Sequence, residues 1–312
     1  MLKKYRVFID GQEGTTGLKL RERLQPREDI ELILIDEDKR RDVSERKRLI
    51  NSADAVFLCL PDDAAKESVS LVENEDVIII DASTAHRTSD GWAYGFPELS
   101  KAHREKIASS KRIAVPGCHA TGFSALVYPL VKLGYIAGDY PLVCHSITGY
   151  SGGGKKMIAE YEDEARSPLL KSPRQYGLTL AHKHLPEMKH VTGISQKPLF
   201  NPIVCDFFSG MAVSVPLHVS LMQKKPSLAE MLDVFSGRYA GHGLISVHEG
   251  NGGGFIAANE IEGTCRMKIY VCGNAEQMTL ISVLDNLGKG ASGAAVQCMN
   301  IALGIDEYKS LI

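Results

Sequence analysis

The sequence predicts an α/β protein of two domains. One is a parallel sheet wound with helices, and the other is a second α/β domain on a mixed or antiparallel sheet. Three observations predict this. In the first 115 residues, short apolar runs bounded by turn signals alternate with helical patterns, as in a parallel sheet with right-handed crossovers. The first of those runs passes straight into a glycine-rich turn and a helix. Beyond residue 140, longer strand-like runs are separated by irregular segments, which suits a mixed or antiparallel sheet. A chain of 312 residues has room for both domains and a sizeable core.

Tyr5 to Ile9 reads as the first strand. Asp10-Gly11-Gln12-Glu13-Gly14-Thr15-Thr16-Gly17 follows, and Leu18, Leu20 and Leu24 continue on a helix. Glycines at such a junction let the backbone approach a phosphate, and the helix N-terminus favours the negative charge. Gly11, Gly14, Thr15, Thr16 and Gly17 are therefore candidates for binding a dinucleotide. The spacing G-x-x-G-x-x-G also fits a plain tight turn. Ile30 to Ile35 is the second strand and ends in Asp36-Glu37-Asp38-Lys39-Arg40-Arg41. An acid there suits the ribose of NAD, and arginines suit the 2′-phosphate of NADP. Lys39, Arg40 and Arg41 favour NADP over NAD, and a solvated charged loop is the alternative.

Ala53 to Leu60 is a third strand closing at Pro61, Ala64 to Val72 is helical, and Val77 to Ile80 is a buried strand. Ligands of parallel sheets bind beyond the carboxyl ends of the strands, where Pro61 and the Ser83–Arg87 segment fall. Arg87 is a candidate anion clamp, because a guanidinium matches phosphate in a bidentate way.

Ile113 to Val115 ends in Pro116-Gly117, a turn signal. Cys118 follows at once, and Phe123, Leu126, Val127, Leu130 and Val131 recur at helical spacing. Cys118 thus enters a helix N-terminus, which lowers a thiol pKa and makes a nucleophile. A buried structural cysteine is the competing reading. Leu142 to Thr148 is a strand running into Gly149-Tyr150-Ser151-Gly152-Gly153-Gly154-Lys155-Lys156, expected as a flexible cationic loop. In His182-Lys183-His184-Leu185-Pro186-Glu187, an extended backbone would point both histidines the same way. One would serve as the base for Cys118, or the pair would bind a metal, which is the weaker reading. No further cluster with ligand spacing stands near, so no metal is expected. Met211 to Leu221 alternates in part and is broken by Pro216, Ser227 to Phe235 is helical, and Arg266 to Val271 is a strand. Leu280 to Gly290 leads into a small-residue helix from Ala291 to Leu303, capped at Gly304.

Lys plus Arg total 36 and Asp plus Glu 38, a net charge of −2 that gives no push toward nucleic acid or anionic membranes. Met1 to Arg6 has too few apolar residues for a secretory core, and no apolar run approaches a membrane span. Seven scattered cysteines without a CxxC pair fit a reducing, cytoplasmic compartment. A dinucleotide turn, an activated cysteine, a histidine and anion-binding groups fit one reaction class. A thiolate takes an activated acyl group as a thioester, and a reduced nicotinamide turns the thioester into an aldehyde.

Five motifs in order carry a family resemblance over nearly the whole chain: Gly11-x-x-Gly14-x-x-Gly17, Pro116-Gly117-Cys118-x-x-Thr121, Gly149-x-Ser151-Gly152, His182-x-His184-x-Pro186-Glu187 and Asp285-Asn286-Leu287-x-Lys289-Gly290. The sequence resembles the N-acetyl-γ-glutamyl-phosphate reductases, in their shorter bacterial form, relatives of aspartate-semialdehyde dehydrogenase. The resemblance implies a Rossmann-type NADP domain over 1–116 plus 287–312, and a catalytic and dimerisation domain over 117–286. It implies reduction of N-acetyl-L-glutamyl 5-phosphate to the 5-semialdehyde by NADPH, in arginine biosynthesis. Cys118 would be the nucleophile and His184 the acid/base, with His182 as the alternative. Asn286 and Lys289 would lie near the cofactor, together with Arg40 and Pro61. Arg87, Ser83, Ser151, Gly152 and Glu187 would bind the small-molecule substrate, and the chain would form a homodimer or tetramer. The family often carries tyrosine-proline after the cysteine, where this chain has His119-Ala120. Pro129 falls inside the predicted helix, where it should kink it, and Ser83-Thr84-Ala85-His86-Arg87 departs from the family wording but keeps the arginine. An aspartyl phosphate reductase is the alternative enzyme. A nucleotide-binding regulatory module is the alternative of another class.

Overall fold

The strands that read as unbroken apolar runs are buried on both faces, as a parallel sheet requires. A computed structural model describes residues 4–250 and 254–312. Met1–Lys3, the first half of the N-terminal segment read above, lies outside the described residues. The chain divides into two compact units, Met1–Gly117 with Ala291–Ile312, and Cys118–Gly290.

The first unit alternates strand and helix: β1 (Tyr5–Asp10), α1 (Thr15–Leu24), β2 (Ile30–Ile33), α2 (Val43–Ser52), β3 (Ala55–Leu58), α3 (Asp62–Ser70), β4 (Ile78–Asp81), β5 (Ala93–Tyr94), α4 (Lys101–Ser109) and β6 (Arg112–Ala114). All pairings in this sheet are parallel, in the order β2-β1-β3-β4-β6-β5. Phe8, Val56, Leu58 and Ile79 form its core with Leu49 and Ile50 of α2. The charged run ahead of α2 hid that helix from the sequence reading. Asp42 caps it, accepting from the backbone N–H of Ser44 at 2.8 Å and of Glu45 at 3.2 Å.

The second unit opens with α5 (Cys118–Lys132) and continues through β7 (Val143–Gly149), α6 (Gly154–Glu162), β8 (Arg174–Gln175), α7 (Leu185–Thr192), β9 (Leu199–Cys205), β10 (Met211–His218), α8 (Leu228–Tyr239), β11 (Ile245–Glu249), β12 (Met267–Gly273) and β13 (Gln277–Leu284). Its sheet is mixed, in the order β11-β12-β13-β10-β7-β9-β8. Pro216 sits in β10 beyond the last residue that pairs with β7, where a missing N–H costs no ladder bond on that side. Pro129 lies inside α5, and the helix runs on to Lys132. A proline there cannot bond the carbonyl four residues back. That carbonyl, of Ala125, accepts instead from the Tyr239 hydroxyl at 2.6 Å.

Two expectations are corrected. The Gly149–Lys156 segment is not a flexible loop: a single turn over Tyr150–Gly153 leads into α6, which begins at Gly154. Tyr161 of α6 is buried with Leu170 and Val204 and stacks on Tyr150 at 4.7 Å, so apolar burial orders the segment. The His182–His184 segment is not extended either. His184 has helical backbone angles and precedes α7 directly.

The last helix, α9 (Gly293–Ala302), follows a π-type turn over Gly288–Ser292 and belongs to the first unit. Gly293 through Ile301 are buried, the polar Gln297 and Asn300 together with the small apolar residues. Gln297 meets its buried surroundings by donating to Glu98 and Glu307, both at 2.8 Å. Among the described residues, no helix is long and apolar enough to cross a membrane.

Candidate active site

In the first unit, the β1–α1 turn brings backbone to backbone. Gly11 has φ +90°, and a Cβ there would lie 2.4 Å from the carbonyl oxygen of Cys59. A Cβ on Gly17 would lie 2.4 Å from the carbonyl oxygen of Gly11. Only glycine fits both places, so α1 starts close under the strand ends with Thr15 and Thr16 in its first turn. A buried carboxylate anchors the turn from behind. Asp10 accepts from Arg46 Nε and Nη2, both at 3.2 Å, and from Ser68 Oγ at 2.8 Å.

A cavity of about 250 Å³ opens on this turn, lined by Gly11, Gly14, Ile35, Glu37, Arg40 and Arg41 among others. A glycine turn and a helix N-terminus, with two arginines in the wall, make a fitting cradle for a dinucleotide. Arg40 lies 3.7 Å from Glu37, and both are well exposed, so that ion pair is weak. Pro61 stands at the start of α3, where the neighbouring strand ends. At the carboxyl end of β4, buried Asp81 accepts from the Ser83 hydroxyl at 2.8 Å and meets His86 Nδ1 at 2.7 Å. Arg87 donates to the carbonyls of Val115 at 2.9 Å and Ala82 at 3.1 Å, which fixes its guanidinium at the ends of β4 and β6.

In the second unit, Cys118 is the first residue of α5 and is half-buried. Its sulfur, a ring nitrogen of His119 and a ring nitrogen of His184 all lie within 4.8 Å of one another. His184 is held there by the start of α7, and Glu187 is buried in the first turn of that helix. His182 stands next to them, its ring 4.8 Å from that of His184, and its Nδ1 accepts from the His184 N–H at 3.2 Å.

His119 is the residue the sequence reading passed over. It appeared only as a departure from the family pattern, although its place beside Cys118 was a signal. It is 3% exposed, with Nδ1 at 2.6 Å from Ser146 Oγ and Nε2 at 2.7 Å from the Tyr176 hydroxyl. Burial, and to a lesser degree the charges of His182 and Lys183, lower its pKa from 6.5 to about 3. It is a neutral ring at working pH. Cys118, His119 and His184 have the elements of a metal-binding trio, but both His119 nitrogens are already hydrogen-bonded. What the arrangement offers is a sulfur with one histidine at its side and a second histidine locked in place.

Of the remaining expected residues, Ser151 is buried and accepts from Asn286 Nδ2 at 3.0 Å. Asn286 Oδ1 in turn accepts from the Gly210 N–H at 2.9 Å, so this amide joins two loops of the second unit. Gly152 is exposed beside it, and Lys289 is buried in the turn that follows β13. Asp285, which the reading gave no role, ties Ser209, Gly263 and Gly288 to one carboxylate.

Comparison with known proteins agrees with this fold. The fold matches aspartate semialdehyde dehydrogenase II from Vibrio cholerae with a TM-score of 0.72, at 15% identity, over 97% of this chain and 99% of that one. The enzyme from Francisella tularensis matches at 0.70, with 14% identity. The family profile described as the semialdehyde dehydrogenase dimerisation domain matches residues 118–286, and the one described as the NAD binding domain of semialdehyde dehydrogenase matches 17–109. Fold and site thus define an oxidoreductase of the semialdehyde dehydrogenase class, with a nicotinamide-dinucleotide domain. A protein of Nostoc sp. named N-acetyl-gamma-glutamyl-phosphate reductase 2 is 43% identical, over 99% of this chain and all of its own length. A Brucella ovis protein named N-acetyl-gamma-glutamyl-phosphate reductase is 46% identical over 96% of this chain and 99% of its own. The chain belongs to the N-acetyl-gamma-glutamyl-phosphate reductase family, as its five motifs led one to expect.

Proposed function

We propose that this chain reduces N-acetyl-L-glutamyl 5-phosphate to N-acetyl-L-glutamate 5-semialdehyde with release of phosphate, a step of arginine biosynthesis, and that it uses NADPH. The observation that carries the reading is Cys118 at the start of α5 with a nitrogen of His184 within 4.8 Å, in a chain whose relatives bear that enzyme's name. Cys118 Sγ bonds to the acyl carbon as the bond from that carbon to the phosphate oxygen breaks. His184 takes the thiol proton and passes it to the departing phosphate. It is better suited than His119, whose two nitrogens are occupied and whose ring resists protonation. His182, outside the trio, is the second choice. Arg87, with Ser83 beside it, holds the phosphoryl group, and Ser151, Gly152 and Glu187 shape the site for the rest of the substrate. Gly11, Gly14, Thr15, Thr16 and Gly17, with Pro61, would hold the reduced dinucleotide, Asn286 and Lys289 would lie near it, and it would supply the hydride that turns the thioester into an aldehyde. When the carbon–sulfur bond breaks, His184 returns a proton from solvent to the sulfur.

The preference for NADP is supported by Arg40 and Arg41 in the wall of the cavity, where a weakly paired guanidinium can turn to a 2′-phosphate. The dimerisation domain named in the family profile supports a homo-oligomer, dimer or tetramer. Seven free cysteines support a cytoplasmic setting. The test is phosphate-dependent reduction of NADP by N-acetylglutamate semialdehyde, with aspartate semialdehyde in a parallel arm. Turnover with the N-acetyl compound is expected. A preference for aspartate semialdehyde, or no turnover with either, overturns the proposal.

A further inference from the structure

The sheet register places two hydroxyl-bearing side chains beside the Cys118 trio. Ser146 of β7 pairs with Pro202 of β9, and the Tyr176 N–H, just past β8, donates to the Pro202 carbonyl at 3.1 Å. Ser146 and Tyr176 therefore stand in one row with β9 between them, and the His119 ring joins their hydroxyls.

The protons in this chain have one consistent arrangement. Ser146 is fully buried, and among the described residues His119 Nδ1 is the one hydrogen-bond partner of its hydroxyl. The Ser146 proton therefore lies on that bond, and Nδ1 accepts it. A neutral imidazole that accepts at Nδ1 carries its hydrogen on Nε2. That hydrogen is donated to the Tyr176 oxygen at 2.7 Å. The Tyr176 hydroxyl thus receives a hydrogen bond from His119, and its own proton is aimed elsewhere. Burial, with the charge of Cys118 acting in the same direction, pushes the Tyr176 pKa up, which keeps the phenol protonated and places it within electrostatic reach of the sulfur.

We propose that Tyr176 is a catalytic hydrogen-bond donor to the carbonyl oxygen of the acyl group carried at Cys118, and that Ser146 and His119 are positioning residues that fix its hydroxyl as a donor. The inference rests on the acyl-transfer reading above. As the carbonyl carbon becomes tetrahedral its oxygen gains negative charge, and a donor already oriented toward it needs no reorganisation. No proton is transferred: the phenol stays neutral through both halves of the reaction.

Two measurements on the full chain test this. Nitrogen-15 NMR of labelled histidine, with His119 assigned through bonds to its backbone, is expected to show Nε2 protonated and Nδ1 bare from pH 5 to 8. The opposite tautomer overturns the relay without reference to any substrate. In kinetics, Tyr176→Phe is expected to lower kcat about 100-fold with KM within about threefold, as loss of one such donor does. His119→Gln, whose amide keeps an acceptor and a donor, is expected to retain kcat within about tenfold, and His119→Phe to fall as far as Tyr176→Phe. Added to Tyr176→Phe, His119→Phe is expected to cost less than about threefold more, because the two act through one bond. Ser146→Ala is the mildest change should the phenylalanine variants not fold, with kcat expected about three- to tenfold down at constant KM. Full kcat in Tyr176→Phe, from a chain whose wild type turns over, overturns the donor role and leaves the proposed function standing. A wild-type chain inert to the semialdehyde overturns the function and the donor role together, and the tautomer is still read by NMR.

Discussion

Replacing His119 by glutamine is expected to remove a pH-dependence of stability from this protein. The imidazole pKa falls from 6.5 to about 3 on folding, chiefly because the ring is buried. Between those values the unfolded chain binds a proton that the folded chain refuses. The stability contributed by the neutral ring is therefore complete above pH 6.5 and is lost as pH falls toward 3. One such group changes stability by up to about 1.4 kcal/mol per pH unit, which integrates to about 2 kcal/mol between pH 7 and pH 5. His182, also lowered by burial, acts in the same direction and remains in the variant, so the difference between the two proteins isolates His119. The assay is urea denaturation at pH 7, 6 and 5 followed by far-ultraviolet circular dichroism. Fluorescence of Trp92, the chain's single tryptophan, would report the other unit. The stability gap between wild type and His119→Gln is expected to shift by about 2 kcal/mol in favour of the variant as pH drops from 7 to 5. Parallel pH curves for the two proteins would refute the neutral, buried ring and the hydrogen-bond chain built on it.

Cys118→Ala is expected to abolish turnover and leave the dissociation constant for NADPH within about twofold; a rate within about tenfold of wild type would remove the covalent mechanism. Converting Arg40 and Arg41 together to alanine is expected to raise KM for NADPH about tenfold or more and leave NADH nearly unaffected, since each charged hydrogen bond to phosphate contributes about 1.5–3 kcal/mol. Equal effects on both cofactors would sink that assignment. Arg46→Met strands the buried Asp10 carboxylate with Ser68 and is expected to destabilise the first unit by about 3–5 kcal/mol, read as a lower urea midpoint in Trp92 fluorescence. An unchanged midpoint would show that the carboxylate finds another partner.

The sequence by itself determined what depends on near neighbours. Apolar runs marked β1, β3 and β4, because a strand buried on both faces can carry few polar residues. Gly11 and Gly17 announced a turn that admits no Cβ, and Pro116-Gly117 announced the start of α5 and with it the place of Cys118. Local signals also misled where burial overruled them. The glycines and lysines of 149–156 read as a loop until Tyr150 and Tyr161 are seen stacked. Tertiary structure alone decided which histidine meets the sulfur and what surrounds it. Ser146, Tyr176 and His184 are far from Cys118 in the chain; the first two meet at His119 because β7, β9 and β8 lie side by side in one register, and His184 arrives on α7, which packs against α5. Strand order and register are set by pairing between distant segments, and no periodicity or turn signal within a segment encodes its partner. That pairing turned His119 from an oddity beside the nucleophile into a buried, neutral ring with both nitrogens engaged.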